Sequence, residues 1–85
     1  MTKDKLPDSI NEAVNLLDEL NDDNSLPKTI RVICEEAKNI LLSPNDIKLK
    51  IDAAMQKLDS LSDDVNMSTY ARTQVWNIIS LLESA

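Results

Sequence analysis

The sequence predicts an all-α protein, folded as a four-helix up-and-down antiparallel bundle built from two repeated αα-hairpins. Three observations lead there. The 85 residues contain no glycine and only two aromatic side chains, Tyr70 and Trp76, so the core must be aliphatic. Four segments space apolar residues three and four apart, as one helix face requires, and none alternates like a strand. The second half repeats the pattern of the first. We expect a single domain over residues 1–85, because the chain is shorter than most domains.

The first hairpin comprises helices one and two. Ser9 and Glu12 have the spacing of a capping box, so helix one is predicted to begin at Ser9 and to end near Asn21. Pro27 suits the first turn of helix two, where its missing N–H has no partner, and Ser43 ends that helix. The predicted core faces are Ile10, Ala13, Val14, Leu17 and Leu20, then Ile30, Ile33, Cys34, Ala37, Ile40 and Leu41.

The second hairpin comprises helices three and four. Helix three is predicted to start at Ser43 or Asn45 and to close at Ser62. Helix four runs from about Ser68 to Glu83. Their predicted core faces are Ile47, Ile51, Ala54, Met55, Leu58 and Leu61, then Ala71, Val75, Ile78, Ile79 and Leu82.

A shift of 41 residues aligns the two hairpins. It pairs Leu17 with Leu58 and Arg31 with Arg72, and it pairs the acidic turn after helix one with the acidic turn after helix three. We therefore interpret the halves as two copies of one αα-hairpin. Because two repeats are too few for a free-standing solenoid, they are expected to close on each other.

Charge and cysteine content restrict the partners and the compartment. The net charge of −6 opposes contact with a phosphate backbone, so no nucleic acid is expected, and an RNA-associated factor is the weakest alternative. No apolar run approaches the roughly 20 residues of a membrane span, so no membrane partner is expected. Cys34, the sole cysteine, lies on an apolar face and is predicted to be core. A lone thiol and no signal peptide favour a cytoplasmic protein.

Residue types absent from the chain argue against catalysis. Without histidine and glycine it lacks the usual general base, Gly-rich phosphate loops and standard calcium loops. The alternative is a small metal-binding or enzymatic protein that uses the turn carboxylates Asp22, Asp23, Asp63 and Asp64. We favour the structural interpretation, in which these side chains bond their own turns. We therefore expect no enzyme activity, no cofactor and no metal.

Arg31 and Arg72, the only arginines, follow the two acidic turns at equivalent positions. The favoured interpretation is that each guanidinium reaches back to its own turn and stabilises the hairpin. The alternative is a role in docking a partner.

Trp76 is predicted to point away from the core. At about 100° per residue it lies some 120° from the centre of the apolar face of helix four, on the side of Arg72. Val32 and Leu49 also lie off the faces of their helices. An outward Trp beside an Arg is typical of an interface. We therefore predict a protein-binding surface with Trp76, Arg72, Leu49 and Val32, used for a homodimer or an unidentified protein. The alternative is packing of Trp76 against a loop or the N-terminal tail.

Four short stretches carry a family resemblance: Leu26–Pro27, Ile30–Arg31, Ala71–Thr73 and Trp76–Glu83. There the chain resembles small archaeal proteins grouped as uncharacterised protein family 0147. Members often carry a proline where this chain has Ser68, which is itself a good helix start. The resemblance implies a four-helix up-and-down bundle and an archaeal cytoplasmic setting, and it implies no activity.

Overall fold

The structure is a computed structural model that describes residues 8–84. It contains four helices, α1 (Asp8–Asn21), α2 (Lys28–Leu42), α3 (Ile47–Ser62) and α4 (Thr69–Glu83), and no strand within the described residues. The predicted all-α fold class is confirmed.

The helices form a closed ring. The backbone of α1 lies close to α2 and α4, and that of α3 lies close to the same two helices, whereas the backbones of the diagonal pairs within residues 8–84 do not approach closely. Because the three connections are short, consecutive helices run antiparallel, as in an up-and-down bundle. The bundle is a rod of 40 × 20 × 17 Å.

The core is aliphatic and follows the predicted faces closely. Cys34 is fully buried, as predicted. Ile47 is the exception, since 39% of its surface is exposed. It is the first residue of α3, at the end of the bundle, so the facing helices cover it only in part. The buried apolar residues are Ile10, Ala13, Leu17, Leu20, Leu26, Ile30, Cys34, Ala37, Leu41, Ala54, Leu58, Leu61, Met67, Ala71, Val75, Ile78 and Leu82.

Two helix starts in the first hairpin differ from the prediction. α1 begins at Asp8, so Ser9 lies inside its first turn and the predicted capping box is wrong. The Asp8 carboxylate suits the positive end of the helix dipole. Pro27 is the N-cap of α2 and precedes its first turn, and its carbonyl accepts from the N–H groups of Ile30 and Arg31, both at 3.1 Å.

The second hairpin contains one wrong and one correct helix start. α3 is capped by Asp46, whose carboxylate accepts from the Lys48 N–H at 3.1 Å, so the predicted starts at Ser43 and Asn45 are wrong. α4 is capped by Ser68, as predicted, through a 3.1 Å hydrogen bond from the Ala71 N–H to the serine Oγ.

The turns between α1 and α2 and between α3 and α4 make the same hydrogen bonds 41 residues apart. In the first, the Asp23 carboxylate accepts from the Ser25 N–H at 2.9 Å, and in the second the Asp64 carboxylate accepts from the Asn66 N–H at 2.8 Å. The backbone bonds also correspond. In the first turn the Asp23 N–H donates to the Leu20 carbonyl, and the Leu26 N–H donates to the Asp23 carbonyl. In the second turn the Asp64 N–H donates to the Leu61 carbonyl, and the Met67 N–H donates to the Asp64 carbonyl. The two turns therefore share these backbone and carboxylate hydrogen bonds.

Two pairs of equivalent core positions in α2 and α4 differ in size in a compensating way. Ile30 corresponds to Ala71, and Ala37 corresponds to Ile78, and all four are buried. α2 and α4 run in the same direction across the bundle, so equivalent positions lie at the same level. These two levels thus each combine one large and one small side chain, whereas the equivalent pair Leu41 and Leu82 combines two large ones.

Candidate functional site

The outward side of α4 is uncharged and carries the only tryptophan. Six exposed residues form it, and we call them the α4 outer strip: Thr69, Thr73, Trp76, Asn77, Ser80 and Ser84. Trp76 lies near its middle and is 58% exposed, which confirms that it points away from the core. Within residues 8–84 no loop covers Trp76, and the other alternative, packing against the N-terminal tail, lies outside the described residues.

Charge is depleted on this helix relative to the other three. Among the exposed residues of α4 only Glu83 is charged, whereas α1 exposes four charged residues and α2 and α3 expose three each. A surface poor in charge and rich in aromatic residues is the composition of an interface centre.

A row of hydrogen-bonded polar side chains borders the α4 outer strip on the side that faces α1. Gln74 donates from Nε2 to the Tyr70 hydroxyl at 3.0 Å, and Asn77 donates from Nδ2 to Gln74 Oε1 at 3.4 Å. Tyr70 is itself 60% exposed. These bonds link the Tyr70 hydroxyl to the polar side chains beside the α4 outer strip.

Two shallow grooves flank α4. The groove towards α1 has a volume of about 500 Å³ and is lined by the apolar side chains of Leu16 and Leu81 together with five polar residues: Glu12, Gln74, Asn77, Ser80 and Ser84. The groove towards α3 has a volume of about 380 Å³ and is bordered by Ile51, Met55 and Leu82. Both grooves place apolar surface beside the α4 outer strip.

Two equivalent positions of the first hairpin carry charged side chains. On α2, Lys38 forms an ion pair with Asp18 at 2.7 Å, and this hydrogen bond raises the pKa of Lys38. The residue 41 positions later is Ile79, and the equivalent of Trp76 is the exposed Glu35. The second hairpin is therefore apolar where the first is charged.

The two arginines act on their own turns, as the favoured interpretation predicted. Arg72 donates from Nη2 to the carbonyl oxygen of Asp64 at 3.1 Å, and Arg31 donates from Nη1 to Asn24 Oδ1 at 3.4 Å. Arg72 is half-buried, with its Nε enclosed and without a hydrogen bond. Its position beside Trp76 is thus set by the turn.

Val32 and Leu49 are exposed, as predicted, but the structure does not bring them to Trp76. Val32 is 40% exposed on the outward side of α2, which lies diagonally across the bundle from α4. Leu49 is 66% exposed in the first turn of α3. It lies more than about 100° around α3 from Ile51 and Met55, which border α4. Of the four predicted residues, only Trp76 and Arg72 share a surface.

The carboxylates of Asp23 and Asp64 accept hydrogen bonds from residues of their own turns. Asp23 accepts from the Ser25 hydroxyl at 2.6 Å, and this bond lowers the pKa of the Asp23 carboxyl. Between residues 8 and 84 no three acidic or cysteine side chains are grouped as a metal site requires. The geometry favours the turn-forming role of these carboxylates.

Cys34 has the environment of a core residue. It is buried among the helices, and burial raises the pKa of its thiol to about 11. A thiol with so little thiolate at neutral pH is a poor nucleophile.

Sequence reasoning missed Tyr70 and Lys50. Tyr70 follows no periodic pattern that distinguishes it from other exposed residues, and its role depends on which side of α4 faces α1. Lys50 is 6% exposed, and its Nζ donates to the carbonyl oxygen of Ser43 at 2.8 Å. The helical period gives a signal, since Lys50 falls four residues before the buried Ala54.

The fold and the surface define a small four-helix bundle whose most distinctive exposed feature is the uncharged face of α4. None of the four helices is long and apolar enough to cross a membrane. The family model described as "Uncharacterised protein family (UPF0147)" matches residues 1–85, so the chain belongs to UPF0147. This confirms the predicted family.

Relatives in sequence and structure agree with this assignment. A UPF0147 protein of Methanocaldococcus jannaschii is 39% identical over 94% of this chain and 88% of its own length. One of Methanothermobacter thermautotrophicus is 37% identical over 91% and 76%. A crystal structure of the UPF0147 protein from Thermoplasma acidophilum has a TM-score of 0.85 and 34% identity, covering 89% of this chain and 91% of that one. The crystal structure of MMP1188, a protein of unknown function, has a TM-score of 0.89 and 32% identity, covering 100% and 98%.

Proposed function

We propose that the protein is a non-enzymatic interaction module of the cytoplasm that binds a second copy of itself through the outer face of α4. The exposed Trp76 at the centre of an uncharged helix face is the observation that supports this proposal. A tryptophan in water leaves a large apolar surface hydrated, and its burial is among the strongest contributions to an interface.

The size of the bundle fits the same proposal. The bundle measures 40 × 20 × 17 Å, so one long side is large enough to hold an interface of standard size, in which each partner buries about 800 Å². A second copy is the occupant because one self-complementary face then suffices for a two-fold dimer.

The absence of an enzyme activity is part of the proposal. Asp23 and Asp64 accept hydrogen bonds within their own turns, and Asp18 and Glu36 form surface ion pairs. Cys34 is enclosed in the core, which argues against a cysteine nucleophile. The lone, buried thiol also suits the reducing interior of a cell.

Sedimentation equilibrium at micromolar concentration tests the proposal. We expect a dimer, and we expect Trp76→Ala to weaken it about 30-fold or more, as loss of an interface anchor does. Glu35→Ala is the matched control, because Glu35 holds the equivalent exposed position on α2. Far-UV circular dichroism should show unchanged helix content in both variants.

Two results would contradict the proposal. A wild-type chain that sediments as a monomer at every concentration would exclude self-association. A dimer that weakens equally with Glu35→Ala and Trp76→Ala would show that the outer face of α4 does not form the contact.

A further inference from the structure

We infer that the two copies pair their α4 helices antiparallel, about a two-fold axis that passes between Trp76 and Asn77. This arrangement rests on the proposed self-association and specifies its geometry. An axis perpendicular to the two helices places residues equally far before and after the centre of α4 opposite each other.

The α4 outer strip is nearly symmetric about that point. Thr73 and Ser80 are equally far from the centre, and so are Thr69 and Ser84. In the antiparallel pair, Thr73 of one copy therefore lies opposite Ser80 of the other. Because these side chains are small and uncharged, the two helices can approach closely without burying a charge.

The charges at the edge of the strip favour the antiparallel direction. Arg72 and Glu83 both lie on the α3 side of α4, towards opposite ends of the helix. Antiparallel pairing brings Arg72 of each copy within about one helical turn of Glu83 of the other. Parallel pairing would place Arg72 opposite Arg72 and Glu83 opposite Glu83. Within residues 8–84, Nη1 of Arg72 makes no hydrogen bond and is available for this contact.

The aromatic side chains complete the contact. Trp76 lies next to the axis on the α3 side, so the two Trp76 rings meet there. Tyr70 lies on the α1 side, and the same symmetry places it over the α1–α4 groove of the other copy, beside Leu81 and Leu16. Each exposed aromatic residue of α4 thus gains an apolar contact, which is how interface anchors pair.

Cysteine cross-linking of the full chain tests the direction and the register. Asn77→Cys should form a disulfide-linked dimer on mild oxidation, because the two copies of residue 77 face each other across the axis. Thr73→Cys alone should not, but Thr73→Cys mixed with Ser80→Cys should. The native Cys34 does not interfere, since it is buried and its pKa is raised to about 11. Gln56→Cys, exposed on α3, is the control and should stay monomeric in the same oxidation.

The outcomes separate this arrangement from self-association itself. Cross-linking of Thr73→Cys to itself would show parallel pairing and overturn the inference. A dimer in sedimentation with no cross-link at residues 73, 77 or 80 would place the contact elsewhere, which overturns the inference and leaves self-association standing. A monomer in sedimentation would overturn both.

Discussion

Leu17→Ala and Leu58→Ala should destabilise the protein by similar amounts. The two leucines are fully buried at equivalent positions of α1 and α3. Truncation removes three carbon atoms, worth about 2.4 kcal/mol at about 0.8 kcal/mol for each buried carbon. The cavity left in the core brings the expected loss in unfolding free energy to about 2.7–5 kcal/mol. This is a large part of the roughly 4–13 kcal/mol that stabilises a chain of this length.

Urea denaturation followed by far-UV circular dichroism measures this loss. All variants should be compared at one protein concentration, because dimer formation adds stability by mass action. Gln56→Ala on the exposed side of α3 is the control and should cost less than about 0.5 kcal/mol. A loss under about 1 kcal/mol at Leu17 or Leu58 would refute their assignment to the core, and costs that differ by more than about 2 kcal/mol would refute their equivalence.

Three further predictions concern single residues. Because burial raises the pKa of Cys34 to about 11, its contribution to stability is complete below the ordinary thiol pKa and is lost as pH rises towards 11. Between pH 8 and pH 11 the unfolding free energy of Cys34→Val, measured by urea denaturation, should fall by roughly 2 kcal/mol less than that of the wild type. The same fall in both proteins would contradict this. Arg72→Ala should lower the unfolding free energy by about 1.5–3 kcal/mol through loss of its bond to the Asp64 carbonyl, and unchanged urea denaturation would show that the bond is unimportant. Lys50→Met should lower the same free energy by about 1.5–3 kcal/mol because the Ser43 carbonyl loses its donor, and a stabilised variant would refute that role.

Features set by helical periodicity were predictable from the sequence. The burial of Cys34 and the exposure of Trp76 follow from their spacing relative to neighbouring apolar residues, and the structure confirms both. The matching turns were predictable too, because the two halves align without a gap. The contact of Arg72 with its own turn follows from that alignment.

Features that depend on competition between similar residues, or on tertiary contacts, were not predictable. Ser43, Asn45 and Asp46 are all good N-cap residues that precede α3, and the sequence alone does not distinguish them. In the folded turn the N-cap is Asp46. The helical period places Lys50 on the buried side of α3. Its hydrogen-bond partner was not predictable, because the connection between α2 and α3 brings the Ser43 carbonyl to the Lys50 Nζ, which no local pattern encodes. The separation of Val32 and Leu49 from Trp76 depends on which helices are neighbours in the ring.

The fluorescence of Trp76 tests self-association through α4 most directly, because it is the only tryptophan in the chain. In the isolated bundle its ring is 58% exposed, so a monomer should emit at the long wavelength of a hydrated indole. We expect emission at a shorter wavelength at high micromolar concentration, with a shift to longer wavelength on dilution as the dimer dissociates. Arg72→Glu should move this transition to higher concentration, because it replaces the attraction to Glu83 of the second copy by repulsion. Emission at long wavelength that does not change with concentration would contradict the account.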